Sequence, residues 1–366
     1  MEPKQHLFSL TESYERRLSK NTANRLEGYS DLTELMIIVG KSLVNDRNRE
    51  MLGIDVPRLK EELILWKYYR EGSIDCFLMK NDDKEEEPLV GTGLTSILPL
   101  IIGNHDMETL EKELGTFTVL TKQKTDNLVL FLLMGKAVHG VINREYGTVD
   151  SFVQFLKEYL IHLNYNRIFQ AFSKENIIDK ISFEKEKIRW IIDLDQITRI
   201  EIPRKKDIED NNRLLFIQSI HLFVKQRDEQ GFYEMIESSE VSLETKVFSL
   251  LLMDLLNRNK TSCIDERIPK NNASLEKNRF LEGMDRYFNK LKSFEILKAP
   301  INYEKLKNNG YMDTKALFSM KQGEKGRHPI LKDFKIQEKK IIKNHLRLEV
   351  KTKSRYYILK KPLAPG

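Results

Sequence analysis

Two clusters of oxygen-bearing side chains stand directly before apolar helical segments, where they could bind a metal ion. The first is formed by Ser30 and Asp31. The second, at 240–245, offers Glu240, Ser242, Glu244 and Thr245. Carboxylate and hydroxyl oxygens are the ligands that a hard cation such as Mg²⁺ prefers. The same residue types are the preferred N-caps of helices, and on spacing alone capping is the favoured interpretation of both clusters.

Other familiar catalytic motifs are missing from the sequence. The seven histidines form no His-Glu-x-x-His pair, Cys76 and Cys263 form no Cys-x-x-Cys pair, and no Gly-x-Ser-x-Gly elbow occurs. The glycine-rich stretch at 91–96 lacks the Gly-Lys-Ser/Thr of a phosphate-binding loop. His139 and His221 lie inside apolar segments, which favours hydrogen-bonded core positions. The sequence therefore gives no support to a zinc protease, a serine hydrolase or a P-loop protein.

Helical periodicity dominates the first 300 residues. Apolar residues between 32 and 43 recur at the spacing of one helix face, and the segment 56–69 has a proline in its first turn and a glycine beyond its end. Further helices are predicted at 108–114, 125–143, 151–163, 209–227 and 243–258. Three of these are apolar on most sides and should pack centrally. No strand–helix alternation is present, so we expect an all-α, multi-helix bundle.

The chain changes character near residue 300. Residues 301–366 contain 17 Lys and Arg against 6 Asp and Glu, a net charge of +11, whereas residues 1–300 carry a net charge of −5. Alternating residues at 345–362 indicate a small β-hairpin. We therefore expect a helical domain at 1–300 and a basic C-terminal appendage at 301–366. Candidate residues for contacting nucleic acid there are Lys351, Lys353, Arg355, Tyr356 and Tyr357.

That basic appendage could equally attract an acidic protein, and a solvated Lys-rich surface is the commoner cause of such a pattern.

The 366 residues suffice to bury a core without disulfides, and two cysteines fit a reducing compartment. No signal peptide is recognisable at the N-terminus. The longest apolar stretch, 128–142, is shorter than a membrane span. The sequence thus predicts a cytoplasmic protein with no membrane partner.

Five segments resemble, in their order along the chain, the motifs of the ADP-ribosylglycohydrolase family. They are GYSDLTELM, LILWKYYREG, VGTGLTSILPL, TKQKTDNLV and the late SSEVSLETK. The corresponding family motifs are a Tyr-Thr-Asp-Asp-Thr helix start, a Trp-Tyr-x-x-Gly helix end, an Asn-Gly-x-x-Met-Arg segment, a Thr-His helix start and a Gly-Gly-Asp-Thr-Asp-Thr helix start. The resemblance covers roughly residues 28–260 and rests on pattern and order more than on identities.

The resemblance implies a metal centre that has lost several ligands. In the family's first motif the Thr and both Asp bind metal; here Ser30 and Asp31 fill two of these positions, and Leu32 replaces the third ligand. In the late motif the matched positions hold Ser242, Glu244 and Thr245, with Glu240 in a glycine position. We expect Mg²⁺ to bind weakly or not at all.

The implied ligand-binding positions are also incomplete. The segment matching Asn-Gly-x-x-Met-Arg lacks its Arg, and the Thr-His start becomes Thr-Lys. The positions that remain are Thr92, Gly93, Thr95 and Thr121. The family's opening helix, with its acidic residue, has no counterpart at this N-terminus, so the resemblance assigns no catalytic residue.

Three functional hypotheses follow. The resemblance implies an orthogonal helical bundle that is catalytically impaired or inactive and acts by binding an ADP-ribose-like molecule or by regulation. A second hypothesis is an active Mg²⁺-dependent hydrolase of ADP-ribose conjugates, in which Asp31, Glu240 and Glu244 rebuild one metal site. A third is a nucleic-acid-binding accessory protein that acts through residues 301–366.

Overall fold

A computed structural model describes most of the chain. The described residues are 6–18, 31–46, 51–69, 95–120, 125–145, 147–169, 178–199, 201–204, 208, 211–225, 229–256, 274–353 and 356–363. Within these ranges the helices are, in chain order, α1 (Leu7–Leu18), α2 (Asp31–Ser42), α3 (Val56–Tyr69), α4 (Leu98–Gly103), α5 (Met107–Leu120), α6 (Thr125–Asn143), α7 (Val149–His162), α8 (Tyr165–Phe169), α9 (Lys180–Asp193), α10 (Asn211–Val224), α11 (Glu229–Ser238), α12 (Leu243–Leu256), α13 (Ser274–Lys292), α14 (Tyr303–Asn308) and α15 (Thr314–Leu317).

Two groups of strands complete the secondary structure. The first is a two-stranded sheet of β1 (Leu43–Asp46) and β2 (Met51–Ile54). The second is a four-stranded sheet of β3 (Lys325–His328), β4 (Lys332–Ile342), β5 (His345–Thr352) and β6 (Tyr356–Pro362). The chain is thus mostly helical with a small C-terminal β-sheet, which agrees with the expected predominance of helix.

The chain divides into two compact units. The helical unit consists of Met1–Gly53 and Ile74–Leu297, and the sheet unit of Ile54–Ser73 and Lys298–Gly366. The boundary after residue 297 lies close to the one expected at 300. In addition, the sheet unit contains α3, which the sequence interpretation placed in the helical domain.

Central helices of the helical unit are buried on nearly all sides. In α6 every residue from Leu128 to Gly135 is buried, and α10 and α12 each bury most of their apolar residues. Length and composition alone would allow α6 to cross a membrane, but 72% of its apolar window is buried inside the structure, as in a core helix. The helix has the predicted bounds, whereas α5 is longer than the predicted 108–114.

The sheet unit is built on an antiparallel meander with the strand order β3-β4-β5-β6. Lys343 and Asn344 join β4 to β5 with positive φ angles of 44° and 63°, the conformation of a tight two-residue hairpin turn. The register shifts between Ile336 and Glu338, which marks a β-bulge. The appendage therefore contains a complete four-stranded sheet, of which the predicted hairpin is the β5–β6 half.

One face of this sheet is apolar and covered by helices. Leu65 of α3 and Leu317 of α15 pack in one cluster with Leu331 of the β3–β4 turn and with the strand residues Phe334, Ile336, Leu348, Val350 and Leu359. An antiparallel sheet commonly buries one face and exposes the other. The segment before β3 forms only the short helices α14 and α15. The long helix that packs on this face is α3, from residues 56–69. The opposite face of the sheet, which we call the outer face, carries mostly polar residues together with the exposed Ile342 and Ile358.

Candidate functional site

The late cluster of oxygen ligands caps a helix. The Ser242 hydroxyl oxygen accepts a hydrogen bond from the Thr245 backbone N–H at 3.1 Å, and the two hydroxyl oxygens lie 2.8 Å apart. Glu240 is exposed, whereas Glu244 is buried in the first turn of α12. A side-chain oxygen on the N–H three residues later is the geometry of an N-cap. The capping interpretation is therefore confirmed for Ser242.

Several other predicted site residues lie outside the described residues: Ser30, the side chain of Asp31, Thr92, Gly93 and Thr121. Thr95 opens a short 3-10 turn, Thr95–Ile97, and its side chain is fully buried, which withholds it from any ligand in solvent. In the part of the chain that the structure describes, no three His, Cys, Asp or Glu side chains are grouped to hold a metal ion.

Both core histidines have structural roles. His139 Nε2 lies 3.2 Å from the Ile101 carbonyl oxygen, and His221 Nδ1 lies 3.0 Å from the Ile197 carbonyl oxygen. Burial lowers the pKa of each imidazole below its ordinary value, because a charged ring would lose its hydration. Both rings are neutral, hydrogen-bonded and buried, which agrees with the core positions expected for His139 and His221.

The outer face of the sheet carries a row of cations that crosses three strands and ends at a tyrosine on the fourth. Lys325 of β3 stands opposite Lys335 of β4, Lys335 opposite Lys351 of β5, and Lys351 opposite Tyr356 of β6. We call this the first cationic row. Directly opposed residues of an antiparallel pair point to the same face, with neighbouring strands about 4.7–4.9 Å apart. Among the described residues, no carboxylate forms an ion pair with any of these three lysines.

A second cationic row crosses three strands nearer the β4–β5 turn. Lys340 stands opposite Arg347, and Arg347 opposite Lys360. Between the two rows, Glu338 and Glu349 face each other. Glu338 forms ion pairs with Lys340 at 2.8 Å and with Arg347 at 3.4 Å, so this carboxylate belongs to the second row. The outer face is therefore positive overall, with Glu338 and Glu349 between the two rows and Asp333 paired with Arg327 beside the first row.

An exposed aromatic ring ends the first cationic row. Tyr356 is 55% exposed, and the Lys351 ammonium lies 5.5 Å from its ring centroid. This cation–π contact orients the lysine and leaves much of the ring accessible. The arrangement places positive charge and an aromatic surface side by side on an open sheet.

The structure brings together only some of the residues predicted to contact nucleic acid. Lys351 and Tyr356 lie on the outer face, and Lys353 is exposed just beyond β5. Tyr357 points to the opposite face, where its ring contacts Tyr69 of α3 at 5.6 Å between centroids. Arg355 lies outside the described residues.

Five members of the two rows were not among the predicted residues: Lys325, Lys335, Lys340, Arg347 and Lys360. The sequence interpretation assigned strands only to 345–362, so it could not place cations of β3 and β4 on the same face. The alternation of charged and apolar residues in KDFKIQEKK was the available signal, and the bulge at Gln337 interrupts it.

Comparisons with known proteins do not extend these findings. No family model matches this chain, and neither the curated proteins nor the solved structures contain a match.

Proposed function

We propose that the sheet unit binds single-stranded nucleic acid through its outer face. The observation that carries this proposal is the alignment of like charges: three lysines oppose one another in the first row, and three cations do so in the second. Like charges directly opposite each other destabilise a sheet. A bound polyanion would offset that cost, which no described carboxylate compensates in the first row and which Glu338 compensates only in part in the second.

The two rows and the tyrosine would have different roles. Lysine and arginine side chains neutralise phosphates without reading sequence, and their opposed arrangement suits a backbone that runs across the strands. Tyr356 offers a ring on which an unpaired base can stack. A base inside a duplex has no free face for such stacking, so we favour a single strand over a double helix.

Fluorescence anisotropy with a labelled 15-nucleotide oligo(dT) or oligo(U) tests this proposal on the full-length protein. Combined Lys325→Ala, Lys335→Ala and Lys351→Ala substitutions remove the first row, and we expect affinity to fall about tenfold or more at low salt. The combined substitutions Lys305→Ala, Lys315→Ala and Lys321→Ala are the matched control, because these exposed lysines carry the same charge and lie outside both rows. Equal loss in both variants, or no binding by the unaltered protein, would reject the proposal.

A second candidate function belongs to the helical unit. We propose as an alternative that it is an ADP-ribosylglycohydrolase-like bundle with a degenerate metal centre, which binds an ADP-ribose-like molecule without hydrolysing it. The supporting observation is the burial of Glu244 in the first turn of α12, at the position matching the family's last metal-binding Asp. Calorimetric titration with ADP-ribose tests this alternative, and Glu244→Gln should weaken any binding. Hydrolysis of an ADP-ribose conjugate would instead favour the active enzyme.

A further inference from the structure

A cleft in the sheet unit, separate from the outer face, carries a second inference. It lies between α3 and α14, is closed by residues 311–313 and Pro329, and has a volume of about 310 Å³. Ile64, Leu306 and Met312 give it apolar walls. This volume lies at the lower end of the range for small-molecule pockets.

An unpaired hydroxyl group points to a missing partner in this cleft. The Tyr303 hydroxyl oxygen is buried, and it has no hydrogen-bond partner within the described ranges. Burial, and next the nearby carboxylates of Glu61 and Asp55, raise the pKa of Tyr303 well above its ordinary value. The hydroxyl therefore stays protonated and neutral. Buried polar groups are nearly always paired, so an unpaired one calls for a ligand, a water molecule or another explanation.

Glu61, which also lines the cleft, supplies a negative charge. Its Oε2 accepts a hydrogen bond from the Thr314 hydroxyl at 2.9 Å and lies 3.5 Å from Nε2 of buried His328. Burial alone would raise the pKa of Glu61, but the hydrogen bonds from His328 and Thr314 outweigh it and lower the pKa. The carboxylate is therefore ionised at neutral pH.

The hydrogen bonds of His328 identify the ring nitrogen that faces Glu61. Its Nδ1 accepts from the backbone N–H groups of Ile330 at 3.1 Å and Leu331 at 3.2 Å. Since Nδ1 is an acceptor, the proton of the neutral ring sits on Nε2, which faces Thr314 and Glu61. The Thr314 hydroxyl and His328 both contact Oε2, so Oε1 is the oxygen of this ionised carboxylate that has no side-chain donor among the described residues.

We propose that this cleft binds a small organic amine with an apolar body. The ammonium group would donate to Glu61 Oε1 and to the Tyr303 hydroxyl oxygen, beside the tyrosine ring, and the apolar part would pack against Ile64, Leu306 and Met312. Two exposed lysines that also line the cleft, Lys60 and Lys307, would instead attract an acid. An amine is favoured over an acid because the carboxylate and the unpaired hydroxyl are the groups that the cleft partly buries.

Ligand-observed NMR titrations of the full-length protein with three phenyl-bearing probes of similar size test the proposal. We expect 2-phenylethylammonium to bind saturably, its neutral analogue 2-phenylethanol to bind about tenfold more weakly, and the anion 3-phenylpropanoate not to bind. Tighter binding of 3-phenylpropanoate than of the amine, or no binding of any probe, would overturn the proposal.

Variants separate a ligand site from a merely hydrated hydroxyl. Tyr303→Phe keeps the ring and should weaken the amine about threefold or more without lowering the melting temperature, because it removes an unpaired buried group. Glu61→Gln keeps an acceptor for Thr314 and should weaken the amine about tenfold. Tyr165→Phe, in the helical unit, is the control and should leave amine binding unchanged. Unaltered binding of the amine by Tyr303→Phe would contradict the proposal.

Discussion

Individual side chains on the outer face of the sheet combine features that a purely structural surface does not need. Tyr356 exposes more than half of its area, yet it ends a row of three opposed lysines rather than packing in the core. Its neighbour on the same strand, Tyr357, contacts Tyr69 and fills a structural position. Adjacent tyrosines of one strand thus separate into a surface residue and a packing residue, because successive side chains point to opposite faces.

Replacing Tyr356 should affect binding and not stability. Tyr356→Leu keeps an apolar side chain but removes the aromatic face, so we expect affinity for a labelled single strand to fall about fivefold or more. The free energy of unfolding should change by less than about 0.5 kcal/mol, because the residue is exposed. Anisotropy and urea unfolding measure the two quantities. Equal affinities of Tyr356→Leu and the unaltered protein would show that no base stacks on this ring.

Capping by Ser242 makes a prediction that distinguishes it from metal binding. Ser242→Ala removes the acceptor for the Thr245 N–H and should lower the free energy of unfolding by about 1 kcal/mol. The loss should be the same with and without Mg²⁺, since the hydroxyl holds a helix end. Ser293→Ala, at an exposed serine, serves as the control. A stabilisation by Mg²⁺ that disappears in Ser242→Ala would instead restore the metal site.

At the scale of elements, the sequence predicts what is local and misses what depends on distant partners. The bounds of α3 follow from its first-turn proline and the glycine beyond its end, and those of α6 from its apolar run; both agree with the structure. Helix α1 was not predicted. It begins where the Asp285 carboxylate of α13 accepts hydrogen bonds from the Phe8 and Ser9 N–H groups, an arrangement across more than 270 residues that no local pattern reveals.

The assignment of α3 to the sheet unit was missed for the same reason. Periodicity shows that this helix has an apolar side, but it does not show which surface that side covers. The candidate site was predicted in part: Lys351 and Tyr356 were found from local alternation, whereas the rows to which they belong depend on strand pairing. Register, set by the β4–β5 turn and by the bulge, therefore had to come from the structure.

Packing of α3 against the sheet can be tested at Leu65, which is 1% exposed within the sheet unit's core. Leu65→Ala should lower the free energy of unfolding by about 2–5 kcal/mol through lost burial and a residual cavity. Hydrogen exchange should accelerate for amides of β5, whose Leu348 and Val350 share the cluster. Lys60→Ala, on the exposed side of the same helix, should change neither quantity. Unchanged exchange in β5 would show that α3 does not stabilise the sheet.

At the scale of the whole molecule, the two units have opposite charge. The sheet unit contains 22 Lys and Arg against 10 Asp and Glu, a net charge of +12, which leaves −6 for the helical unit. Such an asymmetry would direct an approaching polyanion to the sheet unit and away from the rest of the chain. The net charge of +6 for the whole protein conceals this division.

The salt dependence of binding to a labelled single strand tests the central claim most directly. If all six cations of the two rows contact phosphates, the logarithm of the association constant should fall with the logarithm of salt concentration with a slope of about −4. Removing Lys325, Lys335 and Lys351 together should flatten the slope to about −2, while the Lys305, Lys315 and Lys321 control keeps the original slope. A slope near zero, or the same slope in the row variant and in the unaltered protein, would contradict phosphate binding by the outer face.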